Sequence, residues 1–408
     1  MGRGLVLALL LGAALLAPAS AAADPSSDFL TAKRGVWRAV AAGRLAPDDA
    51  GADAAVAYRA ARAVRLLPGA PARNLAYVLH EVAAEASFYT APRATTLFSM
   101  LEVNTRVLAH RSVPTSGADV VDDDGVVYRA FAGRGLQFHP LANFARLNSL
   151  VAAHDDRAPA LADALLERAV DRGGALTWEY HFPFGGGRAP WLSGMVQAVA
   201  AQALARAGLP DEATRAFLAV PRLQVTLPAG PWTRLYSFAG VPVLNAQLQA
   251  VLSVADYAEI ADDAAASALD DRMRAAAAAL LPRFDTGYWS LYGLGWGEAA
   301  LRYHRYVISL LSKLAARYPE EPVWADYADR FARDLELPPL VRVSRATRGR
   351  VAFWLSKVSF VTVRTAGGTR TVRLRQGFHL VTWRPRRRAT SVTAVDLAGN
   401  RATVSLGS

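Results

Sequence analysis

From about residue 24 to residue 336, apolar positions recur every three to four residues, in runs separated by Gly and Pro. The pattern predicts helices over 74–89, 94–110, 140–153, 158–171, 191–207, 211–218, 243–261, 264–281, 298–317 and 324–335. Beyond 337 the pattern changes to short runs rich in Val, Thr and aromatics, predicting strands over 351–357, 358–364, 369–374, 380–383, 391–395 and 402–406. Gly367-Gly368 is a hairpin turn signal and Pro338-Pro339 a linker. The fold expected is mainly α: an (α/α) toroid-type helical domain over 24–336, then a small seven-strand-sized β-sandwich over 337–408. A solenoid of helix pairs is the alternative, although no strict 34- or 40-residue repeat is visible. Residues 112–135 break the helical theme with Asp122-Asp123-Asp124-Gly125 followed by Val126-Val127-Tyr128, and predict an inserted β-hairpin.

Composition narrows the function classes. The chain of 408 residues has no cysteine, which excludes disulfides, zinc–thiolate sites, iron–sulfur clusters and a thiol nucleophile. Residues 1–23 read as a secretory signal: Arg3, an apolar stretch over 5–16 too short to span a bilayer, and small residues before Asp24-Pro25. Secreted, extracellular or cell-envelope placement follows, with no later membrane span. The net charge of +11 is unevenly spread. Residues 338–408 hold thirteen arginines and one lysine against the single acid Asp396, whereas the remainder is close to neutral. Contact with an anionic polymer, for instance a cell-wall polymer, is one meaning of those arginines. An ordinary solvated strand surface is the other, since alternate strand residues face outward with no further purpose. The acidic turn 122–125 offers oxygen ligands for calcium but lacks an EF-hand loop with its closing Glu, so a solvated hairpin turn is the preferred reading.

Four aromatic, polar segments stand out against the Ala-rich helices: 178–195, 232–237, 285–292 and 302–306. Aromatic faces interspersed with Arg, His and Tyr suit a sugar site, where rings stack on a pyranose and an Arg fork pairs with a carboxylate. Asp285, followed by Thr286-Gly287, reads as a turn residue bonding its own backbone. His304 fits either a core hydrogen-bonding role or direct chemistry. Glycoside hydrolysis would need two carboxylates set across the site, and these loops offer only Glu179 and Asp285.

In order and in residues, these segments resemble the C-terminal domain of D-glucuronyl C5-epimerases. The motifs are Pro190-Trp191-Leu192-Ser193-Gly194-Met195, then Tyr236 with Val243-Leu244-Asn245, then Phe284-Asp285-Thr286-Gly287 through Ser290-Leu291-Tyr292-Gly293-Leu294, and last Tyr303-His304. The resemblance spans roughly residues 136–331. It implies a helical toroid acting on uronic acids in a polysaccharide, with removal of the C5 proton and its return from the opposite face. It also implies no cofactor and no metal, and Tyr236, Tyr292 and Tyr303 as acid/base groups. Tyr180, His181, Arg188, Trp191, Ser193, Arg234, Asn245, Arg302 and His304, from the four aromatic segments and the α-helix start at 243–245, are the candidate substrate contacts. A tyrosine acting as base needs cations near it, because its ordinary pKa is about 10. Arg234, Arg302, Arg305 and His304 adjoin these tyrosines in sequence. The chain departs from the family where Arg234, Leu235, Gly293 and Arg302 stand at acidic positions and Val307 at a histidine. The tail resembles the immunoglobulin-like modules that end many secreted bacterial proteins, including their closing Asp-Leu-Ala-Gly-Asn, here residues 396–400. The expected partner is a uronate-containing polysaccharide. A polysaccharide lyase, which shares the first proton abstraction, and a non-catalytic glycan-binding protein are the competing readings.

Overall fold

The computed structural model describes residues 24–384 and 387–406, so the signal expected over 1–23 lies outside the described residues. The helices are α1 (Pro25–Ala41), α2 (Pro47–Leu66), α3 (Gly69–Ala84), α4 (Ala91–Leu108), α5 (Pro140–Ala152), α6 (Ala158–Leu166), α7 (Gly194–Arg206), α8 (Pro210–Phe217), α9 (Leu244–Ala261), α10 (Ala264–Leu280), α11 (Leu301–Arg317) and α12 (Val323–Asp334). Short strands punctuate them: β1 (Asp119–Val121), β2 (Val127–Phe131), β3 (Gly135–Phe138), β4 (Val170–Arg172), β5 (Ala175–Thr177), β6 (Gln224–Leu227) and β7 (Gly230–Thr233). A β-rich segment follows: β8 (Val341–Thr347), β9 (Arg350–Leu355), β10 (Ser359–Thr365), β11 (Gly368–Leu374), β12 (Gly377–Thr382), β13 (Ala389–Asp396) and β14 (Arg401–Ser405). Helices first and strands last agree with the sequence pattern.

The chain divides into two compact units. The first holds residues up to 223 together with 236–239 and 253–267; the second holds 224–235, 240–252 and everything from 268 onward.

In the first unit, α1 packs on α2 and α3, α2 and α3 on α4, and α7 on both α5 and α8. The helices α1 and α2 precede the first predicted one. Pro25 and Pro47 start them, and the Asp24 side chain caps α1 by accepting from the Ser26 N–H at 3.1 Å. Their buried stripes are mostly alanine, as at Ala50, Ala57, Ala60 and Ala61 of α2. Alanine marks a buried face only weakly in sequence, which is why the periodicity there is faint. The helix expected over 158–171 ends early. Gly173 and Gly174, at φ of +63° and +84°, turn the chain into the β4–β5 hairpin. The insertion at 112–135 is three-stranded, in the order β1-β2-β3. Its Asp122 carboxylate accepts from the Val126 N–H at 2.8 Å and Asp123 pairs with Arg106 at 2.9 Å, so these acids close the turn.

In the second unit, β8 to β14 form two antiparallel sheets, β12-β9-β8 and β11-β10-β13-β14. Both sheets contribute to one apolar core: Val351, Phe353 and Leu355 from one, Val361, Val363, Val392 and Ala394 from the other. The strand β8 has no counterpart among the strands that the pattern predicts; it is broken by outward Arg342 and Arg345 and by a register shift between Val343 and Arg345. The sheets are tied to the helices beside them. Lys357 is buried, pairs with Asp396 at 2.8 Å, and donates to the Asp334 carbonyl at 2.7 Å and to the Leu337 carbonyl. The Asn400 amide donates to the Leu335 carbonyl at 2.7 Å. The closing Asp-Leu-Ala-Gly-Asn motif thus caps the C-terminal end of α12. Glu298 accepts from the Val358 N–H at 2.8 Å, and Gln376 donates to the Thr286 carbonyl at 3.0 Å.

Candidate active site

Four elements of the second unit converge through named contacts. The end of β7 is pinned to the first turns of α9: Gln247 accepts from the Thr233 N–H at 2.7 Å and donates to the Pro231 carbonyl at 3.2 Å. This fixes Arg234, the next residue, beside α9. The N-terminus of α9 is joined to the 290–298 hairpin, because the Leu244 N–H donates to the Tyr292 carbonyl at 3.2 Å and Val243 bridges Gly293. That hairpin meets α11 through Tyr292 and Tyr303, whose ring centroids lie 4.8 Å apart. The Arg302 guanidinium sits over the Tyr303 ring at 4.8 Å, and Tyr292 stacks on Trp296 at 5.8 Å. Tyr292, Tyr303, Arg302 and Asn245 therefore cluster where α9 and α11 begin, and both helix N-termini turn their positive ends toward it.

The Asn245 side-chain amide nitrogen and the Arg234 Nε are buried and have no hydrogen-bond partner in the protein. An unsatisfied buried donor costs about 1–3 kcal/mol; Asn245 follows Leu244, whose N–H is bonded to the Tyr292 carbonyl. Donors of this kind suit a carboxylate.

His304, next in the chain, has another use. It is fully buried and stacked on Trp289 at 3.8 Å. Its Nδ1 meets the Ser290 hydroxyl at 2.8 Å and its Nε2 the Phe331 carbonyl at 2.9 Å. Burial holds its pKa down to about 4, with Lys357 adding to the effect. Both nitrogens are spent inside the protein, so His304 braces the base of α11 rather than touching a ligand. Asp285 is a turn residue: it accepts from the Gly287 N–H at 2.6 Å and pairs with Arg330 at 2.5 Å. Tyr306 is buried, donates to Gln249 at 2.7 Å, and has its pKa raised by burial.

The remaining candidates lie in the first unit. Trp191 is not helical; its backbone pairs with Tyr180 in both directions, at 2.9 and 3.1 Å, and the two rings stack at 4.2 Å. The helix α7 starts three residues later, with Ser193 at its cap position and the Ser193 hydroxyl buried without a partner. Tyr236 packs on Trp191 at 5.6 Å and on Phe184 at 5.3 Å, and the 236–239 segment is held by paired bonds between Ser237 and Leu192. Arg188 is exposed. His181 is buried and its Nδ1 meets Glu85 at 2.9 Å; burial opposes its charge, but Glu85 and Glu179 outweigh burial and raise its pKa. Arg93 clamps Glu179 with two bonds of 2.8 and 2.9 Å, and Arg172 adds a second guanidinium. Burial would raise the Glu179 pKa, yet these cations and His181 bring it down to about 2. His181 and Glu179 thus belong to a closed ionic framework, and neither is a free contact group. Trp296, which lies outside the four aromatic segments, is the residue that extends the aromatic face of Tyr292. Its Gly295-Trp296-Gly297 setting, a turn presenting one ring, was the available signal.

Among the described residues, no group of three His, Asp or Glu side chains is arranged to hold a metal ion.

Residues 224–333 match the family model described as D-glucuronyl C5-epimerase C-terminus. The match supports the epimerase family for this segment, which runs from β6 to α12 and contains Arg234, Asn245, Tyr292, Arg302 and Tyr303. The Pro190–Met195 motif lies outside it. No curated protein matches the chain.

Proposed function

We propose that the protein is a secreted uronosyl C5-epimerase acting on D-glucuronate units of an anionic polysaccharide. The observation that carries this reading is the Tyr292–Tyr303 pair at the start of α11, set beside the partnerless amide of Asn245. The reaction needs little else. One tyrosine, as phenolate, takes the proton from C5. The electron pair moves into the adjacent carboxyl group, giving an enediolate. A proton donor on the other face returns a proton to C5, inverting the centre. Asn245 and Arg234 supply donors for the carboxyl oxygens as negative charge builds there, and the helix N-termini add to that field. Arg302 stands over Tyr303, where it favours negative charge on the ring system. Tyr236 is retained as a third acid/base candidate on its motif position alone.

The finer architecture belongs to this reading. An (α/α) toroid is supported by the serial pairing of neighbouring helices, and an immunoglobulin-like module by seven strands in two antiparallel sheets over one core.

The test is incubation of the protein in heavy water with heparosan, hyaluronan and other uronate polymers. Deuterium at C5 in an uncleaved chain is the expected result. Unsaturated uronate ends would assign the protein to the lyases. Binding with no deuterium uptake on any polymer would assign it to non-catalytic glycan recognition.

A further inference from the structure

The β-rich segment carries an exposed aromatic row that the proposed reaction does not use. Phe378 of β12 pairs in register with Trp354 of β9, and Trp354 with Arg342 of β8. The inward positions on the same strands, Val351, Phe353 and Val381, fill the core, so this row lies on the outer face of the sheet. Phe378 is 80% exposed, on an edge strand. A large apolar side chain so placed is a liability for edge pairing, which proteins ordinarily avoid. The Arg342 guanidinium lies over the Trp354 ring at 5.8 Å, and Tyr288 meets the same ring edge-on at 5.9 Å.

The row continues toward the candidate site. Tyr288 belongs to the loop leading into the Tyr292 hairpin. Gln376, two residues before Phe378, is bonded to Thr286 of that loop. Arg375 lies directly against Gly297: a Cβ added there would sit 2.9 Å from the guanidinium carbon. Gly297 follows Trp296, which is 42% exposed and stacked on Tyr292. Arg375 and Arg373 also face Glu298, whose carboxylate is already engaged by the Val358 N–H.

We propose that Trp296, Arg375, Phe378, Trp354 and Arg342 form a binding strip for a uronate polysaccharide, holding the chain beyond the unit that reacts. Flat rings interspersed with guanidinium groups match the pyranose faces and carboxylates of such a chain. Charge complementarity supports this occupant, because the segment from 338 on carries fourteen basic residues and one acid. The choice of a uronate chain rests on the epimerase reading; the surface itself does not.

The experiment measures, on the full chain, the affinity for a hyaluronan or heparosan decasaccharide and for a tetrasaccharide, together with C5 exchange on each. Phe378→Ser and Arg375→Ala should each weaken decasaccharide binding about tenfold while leaving the tetrasaccharide affinity and its exchange rate unchanged. Phe378 is too exposed for its loss to unfold the sheet, and a melting curve checks this. Unchanged decasaccharide affinity in both variants would overturn the strip. So would equal affinity for neutral dextran, or binding by this face to phosphatidylglycerol vesicles and not to glycan. Decasaccharide binding that depends on Phe378 without C5 exchange would instead overturn the epimerase reading and leave the strip standing.

Discussion

The Glu179 cluster in the first unit and the Asn245 cluster in the second are both rich in buried polar groups, but they are built on opposite terms. Around Glu179, the carboxylate takes up two guanidinium groups and His181 is paired with Glu85. Around Asn245, buried donors stand without acceptors beside two touching tyrosines. The first arrangement is closed by its own residues and is structural. The second leaves donors open, and the proposed reaction would fill them with a substrate carboxylate. Buried polarity by itself therefore does not mark a site.

The comparison can be broken at several points. The largest effect should come from Tyr303→Phe, which keeps the ring and removes the hydroxyl: C5 exchange should fall at least about a hundredfold with no change in melting temperature. Glu179→Ala should do the reverse. It leaves the mostly buried Arg93 guanidinium without its carboxylate, while the exposed Arg172 can turn to solvent, and should cost about 3 kcal/mol of stability in denaturant titration. The same carboxylate sets an acid limit. Its pKa is about 2 in the folded protein against 4.5 unfolded, so the unfolded chain binds the extra proton as pH falls. Stability is full above pH 4.5 and drops by about 3 kcal/mol on acidification through pH 2, a loss that Glu179→Gln should remove.

Asn245→Leu separates the two kinds of cluster most sharply. Removing a buried donor that has no partner should leave stability equal or about 1 kcal/mol higher, while uronate affinity drops about tenfold. Lower stability with unchanged affinity would mean that Asn245 is framework after all. A last effect, on stability alone, concerns His304. It stays neutral down to about pH 4, whereas the unfolded residue takes a proton near 6.5, so its contribution to stability declines as pH falls from 6.5 to 4. His304→Gln should flatten that part of the pH–stability curve, read by thermal melting, with C5 exchange retained.

Much of the plan was legible in the sequence. Helices such as α9 and α11 showed clear periodicity, and β10 to β14 followed from short apolar runs and the Gly367-Gly368 turn. The tyrosine pair was legible through motif order. What escaped has physical causes. Alanine-lined α1 and α2 have little contrast between faces. Trp191 looked like a helix start because its role, backbone pairing with Tyr180, depends on a residue eleven positions away. His304 sits beside Tyr303 in sequence, but a helix turns successive side chains by about 100°, so neighbours face different surroundings. The docking of Lys357 and Asn400 onto the end of α12 is a long-range event with no local signature.

The most direct test of the account is C5 deuterium incorporation into a uronate polysaccharide in heavy water, followed by NMR for the unmodified protein and Tyr303→Phe side by side. Uptake by the first, without chain cleavage, and its loss in the second is the predicted result. Equal uptake by both, or none by the unmodified protein on any uronate polymer it binds, would contradict the assignment of this tyrosine pair as the proton-transfer centre.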